Sequence, residues 1–182
     1  MIENAVKEYY KKLDKLWSDK RKTHPLIPYI EKIEPYNMYI GPKNQSDYVE
    51  WIIQKNSKVV DFSKIEKAIE IELKNEIKQY FSSYWFLNMT GLYENIIVSF
   101  TPITPLVDIS VFIRERFNIA KEQNRNTDKI EIGIVEIDHD DGYLLLFDNS
   151  TGYVEAYDAD KKLYQIVAKS LEALIAEMEP RC

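Results

Sequence analysis

Residues 148–180 have the sequence DNSTGYVEAYDADKKLYQIVAKSLEALIAEMEP, in which turn-forming and strand-forming segments alternate. The Asp, Asn, Ser and Gly residues of 148–152, and the aspartates of 158–162, are typical of β-turns. The segments 153–157 and 163–168 are rich in Tyr, Val, Ile and Leu, which favour strands. Turns about ten residues apart predict short antiparallel strands joined by hairpin connections.

A helix is predicted to follow these strands. The Ser170 hydroxyl can cap its N-terminus, and Pro180 ends it because proline has no backbone N–H to donate. The apolar residues that recur at helical spacing, and that we expect on its buried side, are Leu171, Leu174, Ile175 and Met178.

The strand pattern also extends towards the N-terminus. Apolar residues alternate along 129–137, and a further turn at 138–142 precedes a strand at 143–147. The alternating residues are Ile130, Ile132 and Ile134. In an antiparallel meander, consecutive turns fall at opposite ends of the sheet. Turns 138–142 and 158–162 are therefore expected at the same end.

The N-terminal half has mainly helical periodicity. Helices are predicted over 3–20, from an Asp61 or Ser63 cap to about residue 80, and from a Thr104 cap with Pro105 at the first helical position. Strands are predicted at 48–55 and 94–100, with a break at 88–91 and an irregular connection at 24–47. The expected fold is a single α+β domain, residues 1–182. Its C-terminal antiparallel meander packs with the N-terminal helices and the closing helix.

Composition and motifs exclude several classes of function. The five glycines among 182 residues form no GxGxxG, GxxxxGK[ST] or GxSxG motif, which excludes dinucleotide, P-loop and nucleophile-elbow sites. Counted from Asp138, the sixth and twelfth positions are Tyr143 and Asn149, so the EF-hand calcium template fails. We expect no catalytic residues, no metal ligands and no cofactor. The protein is not expected to be an enzyme or to take a small-molecule substrate.

Cysteine usage and hydropathy point to an intracellular protein. The single cysteine, Cys182, excludes an internal disulfide and suits a reducing compartment. The chain has no apolar run of transmembrane length, and its first residues lack the pattern of a signal peptide. The expected location is cytoplasmic.

Charge is unevenly distributed along the chain. The net charge is −6, but residues 1–24 carry seven Lys/Arg and four Asp/Glu, a net of +3. Residues 131–182 carry four Lys/Arg and twelve Asp/Glu, a net of −8. Such an acidic segment repels nucleic acid and anionic lipid and favours a basic partner, although a merely solvated face is the simpler alternative. The candidate partner-binding residues are Asp138, Asp140, Asp141, Glu155, Asp158 and Asp160.

Three segments carry a resemblance to a known bacterial family. They are the helix with Trp17 leading to His24-Pro25-Leu26, the segment QYFSSYWFLNMTG at 79–91, and the tail at 148–180. In this order and at these positions they resemble the SecY-interacting Syd proteins of the SUKH superfamily. The resemblance implies a SUKH-like, non-enzymatic fold that binds SecY at the cytosolic face of the membrane and regulates or proofreads the translocon. It also implies that membrane association is only peripheral.

The same superfamily offers a second function. Many SUKH proteins are immunity proteins that neutralise a cognate polymorphic toxin, so the resemblance equally allows an antitoxin that covers the basic surface of a toxin, such as a nuclease. Both functions need a protein partner with a basic surface. The expected partner is therefore either the cytosolic loops of SecY or a cognate toxin.

Overall fold

The computed structural model of the chain describes residues 1–137 and 140–182, with the backbone alone described at 140 and 141. The helices within these residues are α1 (Ile2–Arg21), α2 (Phe62–Ile69), α3 (Asn75–Ser83), α4 (Ile109–Glu122) and α5 (Leu171–Glu177). The strands are β1 (Leu26–Pro28), β2 (Tyr39–Ile40), β3 (Tyr48–Trp51), β4 (Gln54–Lys55), β5 (Tyr84–Trp85), β6 (Met89–Tyr93), β7 (Ile96–Phe100), β8 (Lys129–Ile137), β9 (Asp140–Asp148), β10 (Val154–Asp158), β11 (Leu163–Ala168) and β12 (Glu179–Pro180).

A seven-stranded sheet in the order β11-β10-β9-β8-β7-β6-β12 organises the fold. Every pairing in it is antiparallel. The predicted α+β class and the C-terminal meander are therefore confirmed. After α5 the chain returns to the far edge of the sheet, where β12 pairs with β6, so that β11 and β12 are the two edge strands.

Helix α1 joins the two halves of the core. The helix predicted over 3–20 is confirmed, and its apolar residues Val6, Tyr10 and Leu13 are buried along one side. The Tyr10 hydroxyl donates to the Asn88 carbonyl, and the Tyr9 hydroxyl donates to the Thr90 carbonyl at the start of β6. Helix α1 packs mainly on α5 and α3, and one apolar cluster runs from Ile2 to Met178. The core therefore lies between the helices and one face of the large sheet.

The helix predicted from Asp61 to about residue 80 is two helices. Asp61 does cap α2, since its carboxylate accepts from the Lys64 N–H, but α2 ends at Ile69. Glu70 then adopts a left-handed conformation with φ of 58°, and the Glu66 carboxylate accepts from the Leu73 N–H. These local bonds replace the helical ladder and separate α2 from α3.

The predicted Thr104 cap is also wrong. Thr104 closes a turn through Leu106 and Val107, and α4 begins at Ile109, four residues after Pro105, its first predicted position. Asp108 supplies the cap by accepting from the N–H groups of Ser110 and Val111. At the other end of the chain, the predicted Ser170 cap is confirmed by its bond from the Ala173 N–H.

Three segments predicted as connections or single strands have more structure than expected. The connection 24–47 contributes β1 and β2, which flank β3 in a three-stranded sheet. The predicted strand 48–55 is divided, because β3 belongs to this small sheet whereas β4 pairs with β5. The predicted break at 88–91 contains the start of β6. In all three segments, the secondary structure results from pairing with strands that are distant in the sequence.

Among the described residues, no helix is both long enough and apolar enough to cross a bilayer.

Candidate functional site

The meander brings two connections to one end of the large sheet. Strand β8 is followed by β9, with Ile137 opposite Asp140, and β10 is followed by β11, with Asp158 opposite Leu163. Asp158 also lies opposite Tyr143 of β9. The last pair of β8 and β9, Ile137 with Asp140, therefore lies about three residues, or roughly 10 Å, beyond the pair of Asp158 with Tyr143. This common end agrees with the prediction from the turn spacing.

The predicted acidic residues have different positions at this end. Asp138 lies outside the described residues, together with His139. Asp140 and Asp141 are the first residues of β9, and their side chains also lie outside the description. Asp160 is exposed in the connection between β10 and β11. Whether these side chains form one patch remains a prediction.

Asp158 mainly holds the connection in place. Its carboxylate accepts from the N–H groups of Asp160 and Lys161 and from Lys161 Nζ, at 2.9 to 3.0 Å. The bond from the Lys161 N–H is the main cause of a pKa held below the ordinary value for aspartate. Part of the charge at Asp158 is therefore compensated within its own turn.

Glu155 was expected in the exposed patch, and this expectation is wrong. Its side chain is buried, and its carboxylate contacts Lys129 Nζ at 2.6 Å. Lys129 also pairs with Asp148 at 2.7 Å, and its ammonium lies 4.9 Å from the centre of the Tyr164 ring. A partner could reach Glu155 only by displacing this packing, so its charge does not contribute to the surface.

Another buried carboxylate nearby, that of Glu131, is compensated by two arginines. Arg116 contacts Glu131 at 3.1 Å, and Arg125 lies 3.8 Å from the other Glu131 oxygen. Arg125 is buried and stacks over the Tyr157 ring at 5.7 Å. Three cations thus face three carboxylates on this part of the sheet, which sequence reasoning missed because the partners come from different elements. We call these six residues the buried ion network: Arg116, Arg125, Lys129, Glu131, Asp148 and Glu155.

Asp148 is the most strongly stabilised anion of this network. Burial alone would raise its pKa, but hydrogen bonds from Lys129 Nζ, from the Ser150 hydroxyl and from the N–H groups of Ser150 and Thr151 outweigh burial and hold the pKa well below 3.8. A carboxylate with a lowered pKa stabilises the fold at pH values above its unfolded pKa. That contribution is lost as the pH falls towards the folded pKa.

We therefore expect the stability of the protein to fall on acidification between about pH 5 and about pH 2, and to fall less steeply in Asp148→Asn. Asparagine keeps a carbonyl that accepts the backbone bonds but does not take up a proton in this range. Urea denaturation at a series of pH values, followed by circular dichroism, measures both slopes. Parallel slopes for the two proteins would mean that Asp148 titrates normally in the fold.

An apolar row crosses the outer face of the sheet beside the acidic end. The paired residues, from β8 to β11, are Ile134, Leu144, Tyr157 and Tyr164. Ile134 is 47% exposed and Tyr164 is 38% exposed, and Ile166 on the edge strand is 57% exposed. The row lies one register position from Asp158. Exposed apolar side chains next to charged ones are typical of protein-binding surfaces.

The exposure of Ile134 results from an irregularity that the sequence pattern hid. The alternation of Ile130, Ile132 and Ile134 predicted one buried face, but the register of β8 against β9 shifts between Glu131 and Gly133. A bulge reverses the phase of the side chains beyond it. Ile130 and Ile132 are therefore buried whereas Ile134 is not.

Within the described residues, no group of three or more His, Cys, Asp or Glu side chains is arranged to hold a metal ion. The described part of this sheet end thus combines an apolar row with an open edge strand, β11.

Comparison with known proteins assigns a family to this fold. The model of the family described as Syd protein (SUKH-2) matches residues 3–180. A protein of Idiomarina loihiensis named Protein Syd is 22% identical over 158 residues, which cover 85% of each chain. The match includes α1, the large sheet, α5 and β12, and thus the whole architecture. The chain belongs to the Syd protein (SUKH-2) family.

Proposed function

We propose that this protein is a non-catalytic binding module for the SecY translocon, acting at the cytosolic face of the membrane to regulate or proofread it. Family membership and the relative named Protein Syd support the proposal. The structural observation that carries it is the common sheet end, where the two acidic connections lie next to the exposed apolar row.

The physical basis is complementary charge. Cytosolic loops of membrane proteins are enriched in Lys and Arg, so a negative surface attracts them. Such complementarity speeds the encounter and disfavours wrong partners more than it adds affinity. The apolar row, with Ile134 and Tyr164 exposed, supplies contact area that can hold the partner once it has been attracted.

The residues proposed for the contact are a revised set. Asp138, Asp140, Asp141 and Asp160 provide the charge, and Asp158 positions the connection that presents Asp160. Glu155 is excluded because Lys129 neutralises it below the surface.

The test compares two variants of equal charge. Reversing Asp140, Asp141 and Asp160 to lysine changes the net charge from −6 to 0, as does reversing the exposed residues Glu31, Glu115 and Glu122. Asp158 is left intact because its turn depends on it. With purified SecY in neutral detergent, we expect the first variant to lose affinity at least about tenfold and the second to bind nearly as the natural protein does.

Salt provides a second measurement on the same material. Binding should weaken between about 50 mM and about 300 mM NaCl, because exposed charges are screened. Equal losses in both triple variants would show that net charge rather than this sheet end matters. If the natural protein does not bind SecY but binds a toxin, the immunity function is the correct one.

A further inference from the structure

Helix α1 presents a basic face to solvent. Lys7, Lys11 and Lys15 are spaced four residues apart and are all exposed, whereas the opposite side of the helix is buried against α3 and α5. Residues at this spacing form one stripe along a helix. Lys20, Arg21 and Lys22 continue the positive charge at the C-terminal end of α1. We call Lys7, Lys11 and Lys15 the basic stripe.

Little of this charge is neutralised within the fold. Lys11 pairs with Glu8 at 2.6 Å, but among the described residues no ion pair engages Lys7 or Lys15. On the same helix, the Asp14 carboxylate contacts Nδ1 of the His24 ring and is one anion beside these two lysines. The stripe therefore retains positive charge, in contrast to the buried ion network, where carboxylates and cations balance.

The basic stripe lies far from the acidic sheet end. Helix α1 is fixed to the β6–β12 edge by the Tyr9 hydrogen bond to Thr90 and by the pair between Lys12 and Glu179, at 3.2 Å. Strand β12 is three to six positions from β8 to β11, the strands that carry the acidic connections, which corresponds to about 14 to 29 Å at the usual strand spacing. The basic helix and the acidic connections therefore belong to different strands of the sheet.

An apolar pocket adjoins the stripe. It has a volume of about 260 Å³, and its lining combines the apolar residues Tyr10, Trp51 and Ile53 with Lys7, Lys11 and one carboxylate, Asp14. Ile52, beside these residues, is 38% exposed. Cations next to an apolar surface match the chemistry of a phospholipid, whose phosphate and glycerol lie next to its acyl chains.

We infer that the basic stripe docks on an anionic phospholipid membrane. The lysines contact lipid phosphates, and the apolar pocket contacts the glycerol and upper acyl region. A surface of the same sign repels the acidic sheet end, so docking also orients that end away from the lipid. The inference goes beyond the proposed function because it needs no SecY.

Vesicle sedimentation without SecY tests the inference. We expect the natural protein to bind vesicles with about 30% phosphatidylglycerol in phosphatidylcholine at low salt, but not vesicles of phosphatidylcholine alone. Replacing Lys7, Lys11 and Lys15 by glutamine should lower the partition coefficient at least about tenfold. The control replaces Lys64, Lys67 and Lys121 of α2 and α4, also exposed, and changes the net charge equally, from −6 to −9. The partition coefficient of this control should stay within about twofold of that of the natural protein.

The two proposals fail in different ways. The variant with Asp140, Asp141 and Asp160 reversed should lose SecY binding in detergent but still bind anionic vesicles. The variant with Lys7, Lys11 and Lys15 replaced should lose vesicle binding but still bind SecY in detergent. The inference is overturned if the natural protein does not bind the anionic vesicles, if neutral vesicles bind it equally, or if the control loses as much as the stripe variant. Unchanged circular dichroism spectra verify that both lysine variants are folded.

Discussion

Replacing Lys129 by methionine is expected to lower the free energy of unfolding by about 3–5 kcal/mol. Lys129 Nζ lies 2.7 Å from Asp148 and 2.6 Å from Glu155, and none of the three side chains is more than 10% exposed. Removing the cation leaves two adjacent carboxylates in a poorly solvated place, where they repel each other and lack their main partner. Urea denaturation at neutral pH, followed by circular dichroism, measures the loss.

A surface lysine provides the matched control for this prediction. Lys11 forms an equally short pair, 2.6 Å from Glu8, but both side chains are 59% exposed. We expect Lys11→Met to change stability by about 0.5 kcal/mol or less, because water solvates the carboxylate that remains. If Lys129→Met costs no more than this control, the buried ion network contributes nothing to stability.

A triple variant separates lost attraction from buried charge. Adding Asp148→Asn and Glu155→Gln to Lys129→Met removes the two carboxylates as well as the cation. Replacing all members of a buried ionic group is much less harmful than removing one of them. We therefore expect the triple variant to be more stable than Lys129→Met alone. A further loss would indicate that the carboxylates are needed for their hydrogen bonds rather than as partners of Lys129.

Local chemistry allowed much of the fold to be predicted from the sequence. The caps at Asp61 and Ser170 depend on a side chain and a backbone N–H only three residues away, so the sequence contains both partners. The meander follows from turn residues at regular spacing, and the amphipathic stripe of α1 from its period. Each of these features is decided within one or two turns of the chain.

The errors arose where distant segments decide the structure. The sequence predicts a break at the start of β6, because the pairing of this strand with β7 and β12 leaves no local signal. The end of α2 depends on a left-handed Glu70, a conformation that its residue type does not favour. The bulge in β8 reverses the phase of Ile134 relative to Ile132, and its sequence signal is the isolated Gly133 beside the shift, which the period-two pattern alone does not take into account.

The candidate site was predictable in its position but not in its membership. Turn spacing sufficed to place two acidic connections at one sheet end. The count of acidic residues could not distinguish Glu155, which is paired with Lys129, from Asp160, which is exposed. Lys129 precedes Glu155 by 26 positions, and only the pairing of β8, β9 and β10 brings them together. A charge pattern in the sequence therefore predicts a charged surface only once the residues that form ion pairs inside the fold are excluded from the count.

Substitution of Gly133 by alanine is expected to cost about 3 kcal/mol or more of unfolding free energy. A Cβ atom at this position would lie 2.2 Å from the Ser99 carbonyl oxygen and 2.9 Å from the Phe100 Cα. Both contacts are with the backbone of β7, which cannot move aside as a flexible side chain can. The substitution must therefore push apart β7 and β8, two interior strands of the sheet.

Gly41→Ala is the control, because it tests backbone conformation without crowding. Gly41 has a φ of +68°, and nothing lies within 4 Å of its added Cβ, so we expect a cost of about 1 kcal/mol from the left-handed conformation alone. Urea midpoints of the two variants, measured under the same conditions, give the comparison. Equal midpoints would mean that β7 and β8 separate at little cost, and the close approach at Gly133 would then not explain why glycine is needed there. A much lower midpoint for Gly133→Ala would instead identify the close approach of β7 and β8 as the reason that glycine is needed at this position.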